Sequence, residues 1–375
     1  MSGTRSDVVV VGGGVFGLST ALELARRGRS VALVDRFGSG HAATSSTGAS
    51  RSIRIAYSDP FYVALAKDAI ARWRALEVQT GSTILHLTGQ VDLGPQHVLD
   101  RLVESCNAAG ASLERCTGAQ LRSTMPELSD GRDGLFQRDA GTVLADAGMR
   151  ALLDAVRAAG VQLFMPERVL GVETGAPVTV RTTQRVLEGD QVVIAAGPWS
   201  GALLEAMGVH VPLAPAVAQV TFLDAPTMVD RPGIADWPEP GGIGVYGHPV
   251  PGIGYKIAFD AGSEGWDADT DEWGVDTVEE SRMLRWLREH LAGAGTKVAY
   301  SQRHPWTMTP DSDFVVDRQG AVVLAVGCSG HAFKFGPALG PLVADVVDGQ
   351  PAHALFRRDR PGLAGSVAAT DAIAR

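Results

Sequence analysis

The chain has 375 residues, a net charge of −9, and 45% hydrophobic against 20% charged residues. That length favours two domains over one core, in an ordinary globular composition. The acidic balance, with no basic run, excludes a nucleic-acid surface but leaves room for a cationic pocket inside an acidic protein.

In chain order, residues 7–11 (DVVVV) predict a parallel strand buried on both faces. Gly12 to Gly17 follow as a turn. Residues 18–27 (LSTALELARR) predict a helix stopped by Gly28, and residues 30–34 (SVALV) a second strand ended by Asp35. This is a complete β–α–β unit. Residues 38–50 are small and polar, hence a loop. Helices are expected over 61–76, 97–110 and 146–160. Residues 191–195 (QVVIA) and 321–326 (AVVLAV) read as strands running into glycine-containing turns, and 335–347 (FGPALGPLVADVV) as a helix. Residues from about 211 to 260 are rich in Pro and Gly, with short runs such as VAQVTFL and GIGYKIAF that predict antiparallel strands. Residues 276–293 return to an amphipathic helix. The expected fold is α/β (α+β overall), a Rossmann-type nucleotide domain with an inserted mixed β-sheet substrate domain. The first comprises residues 1–85, 145–210 and 320–375, the second 86–144 and 211–319.

The three cysteines, Cys106, Cys116 and Cys328, include no C-x-x-C pair, so neither a disulfide framework nor a zinc site is expected. A cytoplasmic protein is the natural reading. The apolar residues 8–18 carry a glycine cluster and lack a small-residue cleavage site, unlike a signal peptide. No apolar run reaches the roughly 18–20 residues that a membrane span needs.

Gly12-x-Gly14-x-x-Gly17 is a weak match alone. Its context of preceding strand, following helix and acidic residue ending the second strand makes it strong. Gly12 allows the tight turn, Gly14 lets backbone approach a pyrophosphate, and Gly17 permits close helix packing. The amides around Val15 and Phe16 lie at a helix N-terminus, suited to an anion. Asp35 is placed to accept hydrogen bonds from an adenosine ribose. No second glycine fingerprint for NAD(P)H is evident. The hydroxyl-rich loop and the arginines at 51 and 54 suit a permanently held dinucleotide better than an exchanging one.

Several further motifs follow in order. They are Ser45-x-x-Gly48-x-x-Arg51-x-x-Arg54-x-x-Tyr57, Val193-Ile194-Ala195-Ala196-Gly197-Pro198-Trp199, Gly254-Tyr255-Lys256, Thr307-x-Thr309-Pro310-Asp311 and Ser329-Gly330-His331-Ala332-Phe333-Lys334-Phe335. With the N-terminal fingerprint, they resemble over nearly the whole chain the flavin-dependent amine oxidases typified by monomeric sarcosine oxidase and N-methyltryptophan oxidase, in the D-amino-acid-oxidase-like superfamily. The resemblance implies FAD as cofactor. It places Gly330, His331, Ala332, Phe333 and Lys334 at the N-terminus of the last helix, beside the flavin's pyrimidine edge. Helix amides and a cation there would stabilise the negative charge that hydride arrival leaves.

The resemblance further implies that Arg54 and Lys334 grip a substrate carboxylate, an arginine fork plus a point charge. Arg51 would stand at the flavin's reactive face, and Lys256 would promote reaction of reduced flavin with oxygen. Tyr246 is assigned to the substrate side. Arg36, His41, Ser45, Ser46, Ser50, Val169, Ala196, Gly197 and Trp199 are assigned to the cofactor.

Departures from the family carry expectations of their own. The family's covalent flavin anchor is a cysteine three residues before the position of Thr307. Here that position is His304, so noncovalent FAD is expected. Cys328 is expected to pack as a small apolar residue. Asp260 stands where sarcosine oxidase has a histidine. Strand alternation puts 256, 258 and 260 on one face, and Asp260 is either a pocket carboxylate or a strand-end aspartate in solvent. Trp306 replaces a tyrosine and would wall an aromatic or cyclic substrate. Ser46 and Thr47 replace two histidines, so the pocket is not tuned for sarcosine itself.

The function expected is oxidation of the C–N bond of a carboxylate-bearing amino acid or N-alkyl or cyclic amine, giving an imine and hydrogen peroxide. The partners are the small-molecule amine and molecular oxygen, with no nucleic acid and no membrane, in a monomer or small homo-oligomer. The alternatives are an FAD dehydrogenase using another acceptor, disfavoured by Lys256, and a non-catalytic FAD-binding subunit, disfavoured by the set Arg54, Lys256 and Lys334.

Overall fold

The computed structural model describes residues 4–38, 40–262, 266–269 and 274–365. Its first strand, Thr4–Val11, is followed by the helix Val15–Arg26 and the strand Val31–Val34, which pairs parallel to the first from Val8↔Val31 to Val11↔Val34. β-branched residues buried on both faces suit this central position. The helix begins at Val15, ahead of the predicted residue 18. The backbone turns helical at Val15, directly after an extended Gly14 N-cap, and Gly17 lies within its first turn. It ends before Gly28, as expected.

The eight-stranded sheet runs through Val169–Glu173, Val178–Thr182, Val186–Ile194, Thr4–Val11, Val31–Val34 and Gln162–Phe164. Val186–Ile194 divides one edge between two partners. Its first half pairs antiparallel with Val178–Thr182, and its second half, Val192–Ile194, pairs parallel with Val322–Leu324. Val315–Gln319 joins outside Val322–Val326. The helices Val15–Arg26, Pro60–Thr80, Ala145–Ala158 and Gly336–Val347 cover one face and form the largest core. A second apolar cluster lies on the other face.

A second eight-stranded sheet runs Val298–Met308, Ala214–Asp224, Gly254–Phe259, Val245–Val250, Gly233–Asp236, Gln90–Leu93, Gly134–Gln137, Glu114–Cys116. The antiparallel strands expected over 211–260 are all in it. Val298–Met308 is an addition to the sequence reading. Its polar residues and Pro305 hide it, and it is tolerated because the strand lies at the sheet's edge, where a missing N–H costs no ladder bond. The helix Thr277–His290, capped by Asp276, packs against this sheet over its own core.

A small sheet of Ser50–Ile53, Gly141–Leu144 and Leu85–His86 lies between them, so the predicted loop 38–50 becomes a strand at its last residue. Among the described residues, no helix is long and apolar enough to cross a membrane, and no group of side chains is arranged to hold a metal ion.

Candidate active site

A cavity of about 650 Å³ opens at the C-terminal ends of the parallel strands and runs to the mixed sheet. That is where an open α/β sheet binds ligands. The glycine turn forms its floor. Gly12 has φ +111°, and a Cβ there would sit 2.2 Å from the carbonyl oxygen of Ala195. A Cβ on Gly17 would sit 1.8 Å from the carbonyl oxygen of Gly12. The turn therefore exists only with hydrogen at both positions.

Asp35 fixes the turn from the next strand. Its carboxylate accepts from Gly13 N at 2.7 Å, Phe37 N at 3.0 Å and Gly38 N at 2.7 Å. A carboxylate has about four lone-pair sites, so one remains for a ribose hydroxyl. The amide of Val15, expected to face an anion, instead donates to Ser46 Oγ at 3.0 Å. Ser46 lines the cavity beside that amide.

Arg51 organises the hydroxyl-rich loop. It donates to the carbonyls of Ser50 at 2.8 Å, Ser45 at 2.8 Å and Thr47 at 2.6 Å. The loop is further tied by Gly48 N, which donates to Asp146 Oδ1 at 3.0 Å. Ser45 Oγ is buried, lines the cavity and makes no hydrogen bond within the protein. At the opposite end, Arg36 pairs with Asp269, which also accepts from Trp199 Nε1 at 3.1 Å. Arg36, Trp199, Ala196, Gly197 and Val169 line the cavity there.

The mixed sheet supplies the far wall through Tyr246, Lys256, His304 and Trp306. His304 and Trp306 are two apart on the edge strand and so share one face. Both ring nitrogens of His304 and Nε1 of Trp306 are buried without a protein partner. Burial, then Arg51 and Lys256, hold the imidazole well below its usual pKa, so His304 is neutral at pH 7. Lys256 is 1% exposed, and its Nζ donates to Ser50 O at 3.2 Å. Burial, reinforced by Arg51, pushes its pKa well down. The hydroxyl of Ser50 meets His248 Nε2 at 3.0 Å.

Behind Tyr246 and Phe333 lies a buried cluster of Arg54, Tyr57, Asp260 and Lys334. The Arg54 guanidinium stacks between Tyr57 at 4.2 Å and Trp237 at 4.6 Å. Lys334 donates to His331 O at 3.1 Å, and its own carbonyl accepts from Trp73 Nε1 at 2.9 Å. Burial lowers the Lys334 pKa, Arg54 and Arg51 lower it further, and Asp260 opposes them. Burial pushes the Tyr57 phenol up to about 12. Asp260 is 7% exposed, which overturns its reading as a strand-end aspartate in solvent.

Most of the predicted site residues converge on the cavity wall: Gly12, Gly14, Val15, Phe16, Asp35, Arg36, Ser45, Ser46, Arg51, Val169, Ala196, Gly197, Trp199, Tyr246, Lys256, His304, Trp306, Gly330, Ala332 and Phe333. Arg54, Lys334 and Asp260 stand behind that wall. Gly17 gives the close helix packing expected of it, against Gly12, and does not itself line the cavity. Three other expectations are displaced. His41 is exposed and stacks on Phe37 with centroids 4.4 Å apart. Ser50 points its hydroxyl at His248. His331 packs in an aromatic cluster with Phe314 and bonds the Ser312 carbonyl at 3.0 Å, because the chain turns it into the core under the last helix. Cys328 also lines the cavity, with its Sγ accepting from Thr307 N at 3.4 Å, rather than only packing.

Sequence reasoning missed Asp146, Met149 and Arg150, which the helix Ala145–Ala158 brings to the cavity, and Arg168 and Asp269 at its far end. The acidic residue opening that helix was the available signal for Asp146.

The cradle that no Cβ could enter, and the unpartnered Ser45, His304 and Trp306 atoms facing the cavity, fit an extended dinucleotide with a polar ring system. Residues 7–346 match the family described as FAD dependent oxidoreductase. Peroxisomal sarcosine oxidase of Mus musculus is 28% identical, over 91% of this chain and 91% of that protein. Monomeric sarcosine oxidase of a Bacillus species is also 28% identical, over 98% and 99%. Among solved structures, NikD, an unusual amino acid oxidase essential for nikkomycin biosynthesis, superposes with a TM-score of 0.82 at 23% identity, over 94% of this chain and 99% of that one.

Proposed function

The chain belongs to the FAD-dependent oxidoreductase family, and from that premise we propose that it oxidises the C–N bond of a carboxylate-bearing amine, giving an imine and hydrogen peroxide. The observation that carries the proposal is the gathering of Arg51 and Lys256 on the aromatic-bearing wall of the cavity with Arg54 and Lys334 buried behind it. Arg54 is 6%, Lys256 1% and Lys334 7% exposed. Buried cations in such number are costly unless an anion completes them. A substrate carboxylate is a matching anion, and the names of the full-length relatives support an amine attached to it.

The chemistry that the flavin supplies when bound is removal of a hydride equivalent from the carbon beside the amine nitrogen, with oxygen as the final acceptor. The protein's share is positioning and electrostatics. Arg54 and Lys334 hold the carboxylate, Tyr246 and Trp306 shape the space beside it, and Asp260 offers a carboxylate to a cationic or hydroxyl group of the substrate. Lys256 offers an ammonium where oxygen gains negative charge, and that developing charge offsets the burial that lowers its pKa. In this reading the valine sheet and its helices hold FAD and the mixed sheet carries the substrate wall.

We further propose that FAD is held without a covalent bond. His304 stands at the position of the family's anchoring cysteine. Cys328, the one cysteine among the described residues that lines the cavity, is kept as a thiol by burial, which raises its pKa. Acid precipitation is expected to leave yellow FAD in the supernatant, and a yellow pellet overturns this. Anaerobic mixing with a panel of N-methyl, cyclic and D-amino acids is expected to bleach the flavin, with peroxide formed once oxygen is admitted. If no member bleaches it, or if only amines without a carboxylate do, the substrate reading is refuted.

A further inference from the structure

A buried carboxylate outside the cavity stands behind Arg54. Asp92, on the strand Gln90–Leu93, is completely buried. Its Oδ1 accepts from Gln90 Nε2 at 2.8 Å and from Trp237 Nε1 at 3.0 Å, and its Oδ2 accepts from Gln137 Nε2 at 2.5 Å. Both outward branches end at Arg54. Gln137 turns its Oε1 to the amides of Ile55 at 2.9 Å and Ala56 at 3.3 Å, and the Ala56 carbonyl accepts from Arg54. Trp237 places its indole face 4.6 Å from the Arg54 guanidinium.

The network has a fixed direction. Gln137 cannot flip its amide without pairing its NH2 group with two backbone N–H donors. Its Nε2 must therefore meet an acceptor, and the Trp237 indole is a donor only. A residue at position 92 that accepts on both oxygens satisfies all three donors, and a carboxylate does so.

We propose that Asp92 is a positioning residue that locks Arg54, through Gln137 and Trp237, in the orientation that receives the substrate carboxylate. The proposal rests on the reading of Arg54 as a carboxylate-binding group. Asn at position 92 would set an NH2 group against either the Gln137 amide or the Trp237 indole. One branch would then release, and Arg54 would lose either its backbone anchor or its stacking plane. Neither Asp92 nor Trp237 lines the cofactor cavity, so the effect separates from FAD retention.

The test is calorimetric titration of the FAD-loaded protein with sodium acetate, alongside FAD titration of the apoprotein. Asp92→Asn is expected to weaken acetate roughly tenfold, the order expected when one hydrogen bond to a charged group is lost. FAD affinity should stay at the wild-type value. Trp237→Phe, a milder change that keeps a stacking face but drops the indole N–H, should weaken acetate by a smaller factor and serves if Asp92→Asn does not fold. Arg54→Met should lose acetate binding. Wild-type acetate affinity in the position-92 and position-237 variants, with loss in Arg54→Met, overturns the proposal. Parallel loss of FAD and acetate also overturns it, since that is general damage. If Arg54→Met binds acetate as the wild type does, the reading of Arg54 itself fails.

Discussion

Gly17→Ala sets two effects against each other. The residue lies in the first turn of the helix Val15–Arg26, where alanine is the better helix former by about 1 kcal/mol. The added Cβ, however, would sit 1.8 Å from the carbonyl oxygen of Gly12. That oxygen is backbone, with no rotamer to yield, so the helix and turn must separate. Overpacking of this kind costs about 1–3 kcal/mol or more, and the upper range applies here. The net loss is about 2 kcal/mol, a fall in Tm of roughly 2–3 °C for a chain of this size. Because the displaced atoms are the floor of the cavity, FAD affinity should also fall at least about tenfold, equivalent to about 1.4 kcal/mol. Gly28→Ala is the matching control. Its φ of +81° strains an alanine by about 1 kcal/mol, but a Cβ there meets nothing within 4 Å. It should lower Tm and leave FAD binding intact. Thermal melts and FAD fluorescence titrations of both variants check this. A Gly17→Ala protein with wild-type Tm and FAD affinity would refute the packing argument.

Lys256→Met is expected to slow reoxidation of the reduced flavin by oxygen about 100-fold in stopped flow, the usual cost of losing one preorganised charge. An unchanged rate removes Lys256 from that step. The same residue gives the apoprotein a pH signature. Its folded pKa lies well below the unfolded value of 10.5, so across that window the unfolded chain binds a proton that the folded chain does not. Stability then rises with pH by up to about 1.4 kcal/mol per unit from this group, and the penalty is fully present below the folded pKa. Apoprotein Tm should climb more steeply with pH, on the approach to 10.5 from below, in the wild type than in Lys256→Met, and equal slopes would contradict the buried, depressed lysine. Ser46→Ala removes the acceptor of the Val15 amide and should cost about 1 kcal/mol, by analogy with a lost helix cap. Denaturant titration giving an unchanged midpoint would show that water replaces the hydroxyl.

The first β–α–β unit is legible in the sequence because its residues obey one rule at a time: a valine run for a strand covered on both faces, glycines where backbone meets backbone, and an acid to hold the turn. The last helix is legible for a similar reason. The strand Val298–Met308 is not, since an edge position relaxes the demand for alternation and admits Pro305. The strand Gln90–Leu93 misleads in the opposite sense. Its sequence alternates polar and apolar as if one face met water, yet all four residues are buried, and Gln90 and Asp92 are satisfied by side chains distant in sequence. Motif matching brought Lys256, His304 and Trp306 to one wall. It could not foresee that Arg51 spends its donors on three loop carbonyls, because carbonyl positions are a property of the folded loop. The displacement of His331 into the core has the same origin.

The division of Val186–Ile194 between two partners also bears on how the protein is made. The parallel pairing of Val192 with Val322 joins segments far apart in the chain, and the helix Gly336–Val347 that covers the first helix comes later still. Long-range parallel pairing is slow to form, and ribosomes add only about 5–20 residues per second. The glycine turn, although among the first residues to emerge, has no complete sheet behind it until the last of these segments has been synthesised. Cofactor capture is therefore a late event, and a nascent chain stalled before Val322 would display the whole fingerprint without being able to hold FAD.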